Sequence, residues 1–437
     1  MTDPTRSGLR EISTPQLYRH NAFRVTGLPT DADRRTVRQR RQRITTMLEV
    51  GADLDLGHDL AVDPQDVAKA FDLILGDPRR RLVDELFWLW DTADATCGCT
   101  KNLHRDHDAA VRAHSSALDL EEVADRLTAE QLHKLDNAWT QAARQWGKQL
   151  RRAAFWDHVR HRIGALDDKQ LDESAVDVLR EELPTVLIKP LIQLAGAARG
   201  RQDQLSRHAH NWPVHPEVVA ELLERAAEPL YAEIGAELAT ATEQLRTGPP
   251  QQPAGLLDRV VVPKLTRLDT LVPADQHRRT ARVRNDVAVL YNNCATKLID
   301  ELGPDAGLPA RTWLGSARGL AYDPQTIATI GQNDAMLTEI VAAFEVIRNR
   351  VTQFLDLGRR DLAQRYLRDI RRRMAGAPGA GDIDRMLADL GGRAPRARPT
   401  SVKLRPSGRG FPATVGWLIF WALILVAAYL LLFGSPT

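Results

Sequence analysis

Apolar residues return at i, i+3, i+4 and i+7 along most of this chain, and no long strand-like alternation is sustained. The first clear pattern lies in Arg34–Glu49, where Val37, Ile44, Met47 and Leu48 sketch one apolar side of an arginine-rich segment. Thr30-Asp31-Ala32-Asp33 precedes it with side-chain oxygens suited to capping a helix. Next, Val67, Phe71, Ile74 and Leu75 keep helical spacing behind Pro64, a residue at home in a first helical turn. That run stops at Gly76-Asp77. Pro78 then opens another, in which Leu82, Val83, Leu86, Phe87 and Trp90 form a broad apolar face.

After a polar joint over Thr92–Asp106, helical spacing resumes and holds to about Leu245, for instance at Leu171, Ala175, Val178 and Leu179. Breaks are expected at Leu183-Pro184, Lys189-Pro190, Trp212-Pro213 and His215-Pro216, because proline disfavours helical backbone at the residue before it. GPPQQPAG, residues 248–255, reads as a linker. Within the second tract, Phe354–Leu367 reads as a helix, a turn at Gly358 and a second helix carrying Ala363 and Tyr366. This resembles a tetratricopeptide-like hairpin near 346–372. The predicted organisation is therefore all-α: a flexible N-terminus (1–17), a first helical unit (18–92), a helical region (93–247), the linker (248–255), and a second helical region (256–375). A flexible basic stretch (376–412), with one short helix at Ile383–Leu390, follows.

The far end differs. Val415–Phe433 is nineteen residues without a charge, roughly 28 Å as a helix and close to the hydrocarbon thickness of a bilayer. Residues 413–433 are expected to form a single transmembrane helix in the lipid bilayer, with 434–437 as an extracytoplasmic tail. Upstream, Arg393, Arg396, Arg398, Lys403, Arg405 and Arg409 form a basic run with no acid after Asp389. The positive-inside bias then predicts a tail-anchored, single-pass protein of the cell membrane with its bulk in the cytoplasm. The N-terminal residues contain acids and no apolar core, unlike a secretory signal.

Composition narrows the chemistry. A formal charge of +2 gives no global field that would favour nucleic acid. Three cysteines do not make a disulfide framework. Phosphate-cradling and nucleophile motifs such as G-x-x-x-x-G-K-[ST] and G-x-S-x-G are missing, so neither an enzyme nor a cofactor is expected. The joint holds Cys97, Cys99, His104 and His107, donor types that suit tetrahedral zinc. Their spacing is tighter than that of a zinc finger, and an ordinary joint with reduced thiols is the plainer expectation. His158 with His161, and the group His208, His210 and His215, read as ordinary surface or core histidines. Phe87, Trp88, Trp90, Trp139, Trp146, Phe155 and Trp156 are expected in the core, with a peptide groove between hairpins as the alternative.

Residues 18–92 resemble a degenerate J-domain (DnaJ-like): Gly27-Leu28-Pro29, a basic second helix, a third helix containing Ala70-Phe71, then Asp77-Pro78-Arg79-Arg80-Arg81. The resemblance implies that the basic helix faces a protein partner, with an Hsp70-type ATPase as the candidate. Arg34, Arg35, Arg38 and Arg41 are then the partner-binding candidates, through charge complementarity. One departure matters. J-domains act through His-Pro-Asp in the loop between these helices, and here that loop reads EVGADLDLGHDLAVDPQD, with no such triplet. The expectation is a non-enzymatic membrane scaffold or adaptor that keeps the J-like frame. A co-chaperone with an atypical J-domain is the alternative, and a metal-dependent protein a lesser one.

Overall fold

The computed structural model describes residues 4–49, 63–90, 98–197, 200–374 and 379–391, and every regular element among them is helical. In chain order these are α1 (Pro4–Ile12), α2 (Ala22–Thr26), α3 (Arg34–Glu49), α4 (Pro64–Gly76), α5 (Pro78–Leu86), α6 (Lys101–Glu121), α7 (Ala129–Leu150), α8 (Ala153–Leu166), α9 (Ser174–Ala197) and α10 (Gln202–His210). They continue as α11 (Pro216–Ala226), α12 (Glu228–Thr247), α13 (Gln251–Leu256), α14 (Val262–Leu271), α15 (Arg278–Leu302), α16 (Gly307–Leu320), α17 (Pro324–Asp356), α18 (Arg360–Arg373) and α19 (Ala380–Asp389). The described residues form two compact units, one from those up to 232 with 265–277, the other from 233–264 with those of 278–391.

In the first unit, α2, α3 and α4 close around Phe23, Val25, Val37, Ile44, Val67, Phe71 and Ile74. Local chemistry sets each boundary. Asn21 Oδ1 accepts from the Phe23 and Arg24 amides at the start of α2, while its Nδ2 donates to Asp84 O at 2.8 Å. Asp77 serves two helices: its N–H closes α4 on Leu73 O, and its carboxylate caps α5 through the Arg79 and Arg80 amides. An Asp-Pro pair is suited to this, since the carboxylate satisfies amides that the first turn leaves open and proline needs none. The aromatic residues are largely core: Phe87, Trp139, Trp146 and Phe155 are fully buried, and Trp90 and Trp156 nearly so.

Three sequence expectations are corrected by packing. The first is the flexible N-terminus over 1–17. Within it α1 buries Leu9 and Ile12, and Arg6 pairs with Glu181 at 2.7 Å and Glu182 at 2.9 Å on α9. The second concerns the breaks at Pro184 and Pro190, because α9 runs through both prolines. Val186, Leu187, Ile188, Leu191 and Ile192 are all buried, and that burial holds the helix through its breakers. Pro190 has no N–H for the carbonyl four residues back, and that carbonyl, Val186 O, accepts instead from Ser13 Oγ at 3.0 Å. The two corrections thus meet at the Ser13 contact. Ser13→Ala is expected to cost about 1–2 kcal/mol, since it leaves a buried carbonyl unsatisfied. Urea denaturation of the full-length protein checks this, and an unchanged midpoint would mean that Val186 O finds another donor.

The third correction falls in the second unit. Of the expected 248–255 linker, only the turn between α12 and α13 is non-helical. Pro253 sits in the first turn of α13, where the missing N–H breaks no bond, and it is buried with Ala254. Lys297 Nζ fastens the end of α12, donating to Leu245 O at 2.6 Å and Gly248 O at 2.8 Å. A π-helical turn, Leu257–Val261, leads toward α14, and Tyr291 donates its hydroxyl proton to Asp258 there at 2.5 Å. Further on, α17 and α18 are joined through Gly358, with Phe354 and Tyr366 packed edge to face at 5.9 Å.

Among the described residues no helix is long and apolar enough to cross a membrane. The 413–433 segment and the basic residues from Arg393 to Arg409 lie outside the described residues.

Candidate functional site

The basic helix comes first. Asp33 starts α3, accepting from the Thr36 amide at 2.7 Å, and this contact lowers the pKa of its carboxyl. Val37 and Ile44 hold the inner side of α3 in the core. At 100° per residue, Arg35, Arg38 and Arg43 fall on the opposite side, and all three are exposed. Arg34 and Arg41 lie between the two sides and are partly neutralised, by Asp168 at 3.2 Å and Asp72 at 2.8 Å. Arg40 reaches back to Thr26 O at 3.4 Å. The four candidates are therefore split, and Arg35 and Arg38 are joined by Arg43. No hydrogen bond or ion pair engages these three guanidinium groups among the described residues.

The arginines after Pro78 turn out differently. Arg79 donates to Gln170 O at 2.7 Å, and Arg80 meets Glu11 at 3.2 Å. Arg81 is buried, donating to Glu85 at 3.0 Å and Ala32 O at 2.6 Å. Arg162 of α8 donates twice more to Glu85, at 2.9 and 3.2 Å. Beside this network Asp84 is buried, which pushes its carboxyl up to about 6 despite Arg80. A run that looks like a surface patch in sequence is largely an internal clamp.

The joint after α5 gathers a ring of aromatic and imidazole groups. Trp90 Nε1 donates to Glu85 O at 2.7 Å, and the Trp90 amide donates to Asp108 Oδ1 at 2.8 Å. His107 stacks on Trp90 at 3.4 Å between ring centroids, and His158 stacks at 4.0 Å. Both nitrogens of His107 are committed: Nε2 to Leu86 O at 2.9 Å and Nδ1 to Asp108 at 3.2 Å. Its role is to satisfy a carbonyl at the end of α5, so it leaves the proposed set of metal ligands. Cys97 lies outside the described residues. Cys99 and His104 do come together, and their companion is His158 of α8, with all three ligand atoms within 4.8 Å of one another. His104 and His158 are buried, 5% and 3% exposed. Burial, aided by neighbouring His104 and His107, pulls the pKa of His158 down to about 2, so its imidazole is neutral. A cavity of about 20 Å³ opens here, lined by Thr30, Asp31, Glu85, Trp90, His104, His158 and Arg162.

The other titratable groups read in the sequence have local roles. His208 contacts Asp136 at 3.2 Å, and His210 contacts Ser206 O at 2.8 Å. Cys294 is buried, its thiol is pushed up to about 12, and it stays protonated and unreactive at neutral pH. Compared with known proteins, the chain matches no protein-family model, no curated protein and no solved structure.

Proposed function

We propose that this chain is a non-enzymatic adaptor, anchored in a membrane by residues 413–433, whose J-like helices α2–α5 offer a basic face to an acidic protein partner. One observation carries the reading. Arg35, Arg38 and Arg43 are exposed on α3 and form no ion pair among the described residues, although neighbouring arginines on the same helix pair with acids of the chain itself. Solvated charges of this kind steer association, and steering weakens as salt rises. The uncharged span and the basic run before it support the anchor and a cytoplasmic body. The absent His-Pro-Asp triplet supports docking without stimulation of a partner ATPase.

Crosslinking and capture from native membranes tests the reading, with the wild-type chain beside the Arg35→Glu, Arg38→Glu, Arg43→Glu variant. Partner capture is expected to fall about tenfold or more while the variant stays in the membrane fraction. If the arginine-dependent partner is an Hsp70-type ATPase, the chain is a co-chaperone recruiter and the plain adaptor reading is dropped. Equal capture by both forms would remove α3 as the docking surface.

A further inference from the structure

We propose that Cys99, His104 and His158 bind one structural Zn²⁺ ion that staples the joint after α5 to α6 and α8. The three ligand atoms come from three places: Cys99 just before α6, His104 in the first turns of α6, and His158 within α8. In a tetrahedral zinc site, bonds of about 2.0–2.3 Å set ligand atoms roughly 3.3–3.7 Å apart. The present mutual separation, within 4.8 Å, closes to that with side-chain shifts of about an ångström.

The donor set selects the metal. One thiolate and two imidazoles suit zinc, whereas calcium and magnesium require oxygen ligands. The surroundings act as a support that fixes ring orientation. His158 is held against Trp90 at 4.0 Å, and Trp90 is locked by Glu85 O on one side and by Asp108 on the other. Rings braced in this way need little reordering to take a metal. Three protein ligands leave the fourth tetrahedral position to solvent, so the structural role rests on the absence of room for a substrate. At about 20 Å³, the adjoining cavity holds one water or ion and no substrate, so the ion is structural and not catalytic.

The test uses the full-length chain, purified in detergent without chelators from zinc-supplemented cells and passed through gel filtration. About one zinc per chain is expected by elemental analysis. With Co²⁺ alone as the probe, a thiolate-to-cobalt charge-transfer band is expected, and it should vanish in Cys99→Ser. His158→Gln should weaken zinc binding at least about 100-fold. Cys99 is only half-buried, so its serine variant keeps the fold, verified by an unchanged helical circular dichroism spectrum. Cys294→Ser and His161→Ala should bind zinc as the wild type does. A wild-type chain that keeps its helical spectrum yet carries no zinc and gives no cobalt band overturns the proposal. Equal zinc in Cys99→Ser and His158→Gln overturns it too.

Discussion

Glu85→Ala is expected to destabilise the first unit by about 3–5 kcal/mol, enough to threaten folding at physiological temperature. Glu85 is 2% exposed, and its carboxylate answers two guanidinium groups, Arg81 from its own helix and Arg162 from α8. Removing it leaves two largely buried positive charges facing each other without their shared carboxylate, while the backbone carbonyls of Ala32 and Thr30 still accept from them. The cost arises from the stranded charges, not from the lost attraction. A triple replacement, Arg81→Met, Glu85→Leu and Arg162→Met, removes all the charges together and should recover most of the lost stability. Thermal melts of the full-length protein in detergent compare the three forms. A triple variant no better than Glu85→Ala would show that shape, not charge, holds α5 against α8.

How far the sequence speaks depends on whether the deciding contact is near in the chain. The starts of α4 and α5 are legible because Asp63-Pro64 and Asp77-Pro78 carry the cap and the first turn side by side. The hairpin turn at Gly358 is legible for the same reason. By contrast, α9 contains two prolines that argue locally for breaks, and what overrules them is a buried face and a hydroxyl from Ser13, far upstream. The buried α5 charges are equally silent. Arg-Arg-Arg before apolar residues looks solvated until Arg162 and the Ala32 carbonyl arrive from elsewhere.

The joint teaches the same lesson about chemistry. Close spacing put His107 beside Cys99 and His104, but the chain spends that imidazole on the end of α5. His158 follows much later and sits three residues before an exposed His161, so its pairing has no local sign. A sharper clue was present in the apolar company of His158: Phe155, Trp156 and Val159 surround it on one turn, and an imidazole placed there faces inward. On α3, helical geometry alone would have promoted Arg43 over Arg34 and Arg41, since the buried stripe of Val37 and Ile44 fixes the outward direction.

In the second unit, Gly303→Ala is expected to cost about 3–5 kcal/mol, well beyond the ordinary penalty for a left-handed residue. Gly303 has φ +54°, and a methyl group there would lie 2.5 Å from the Gly379 Cα and 2.9 Å from its amide nitrogen. Backbone atoms cannot swing aside as a side chain does, so the turn after α15 must part from the segment that starts α19. Gly379 is constrained in return: it has φ +83°, and its own added carbon would meet the buried Phe344 ring at 2.6 Å. Gly358→Ala separates the two causes. Its φ is +67°, but nothing lies within 4 Å of an added carbon. That variant should lose only about 1–2 kcal/mol from backbone strain. Urea denaturation of the full-length chain, followed by helical signal, measures both. Equal losses at Gly303 and Gly358 would mean that α19 gives way at little cost, and the close backbone approach would then contribute nothing to holding the second unit together.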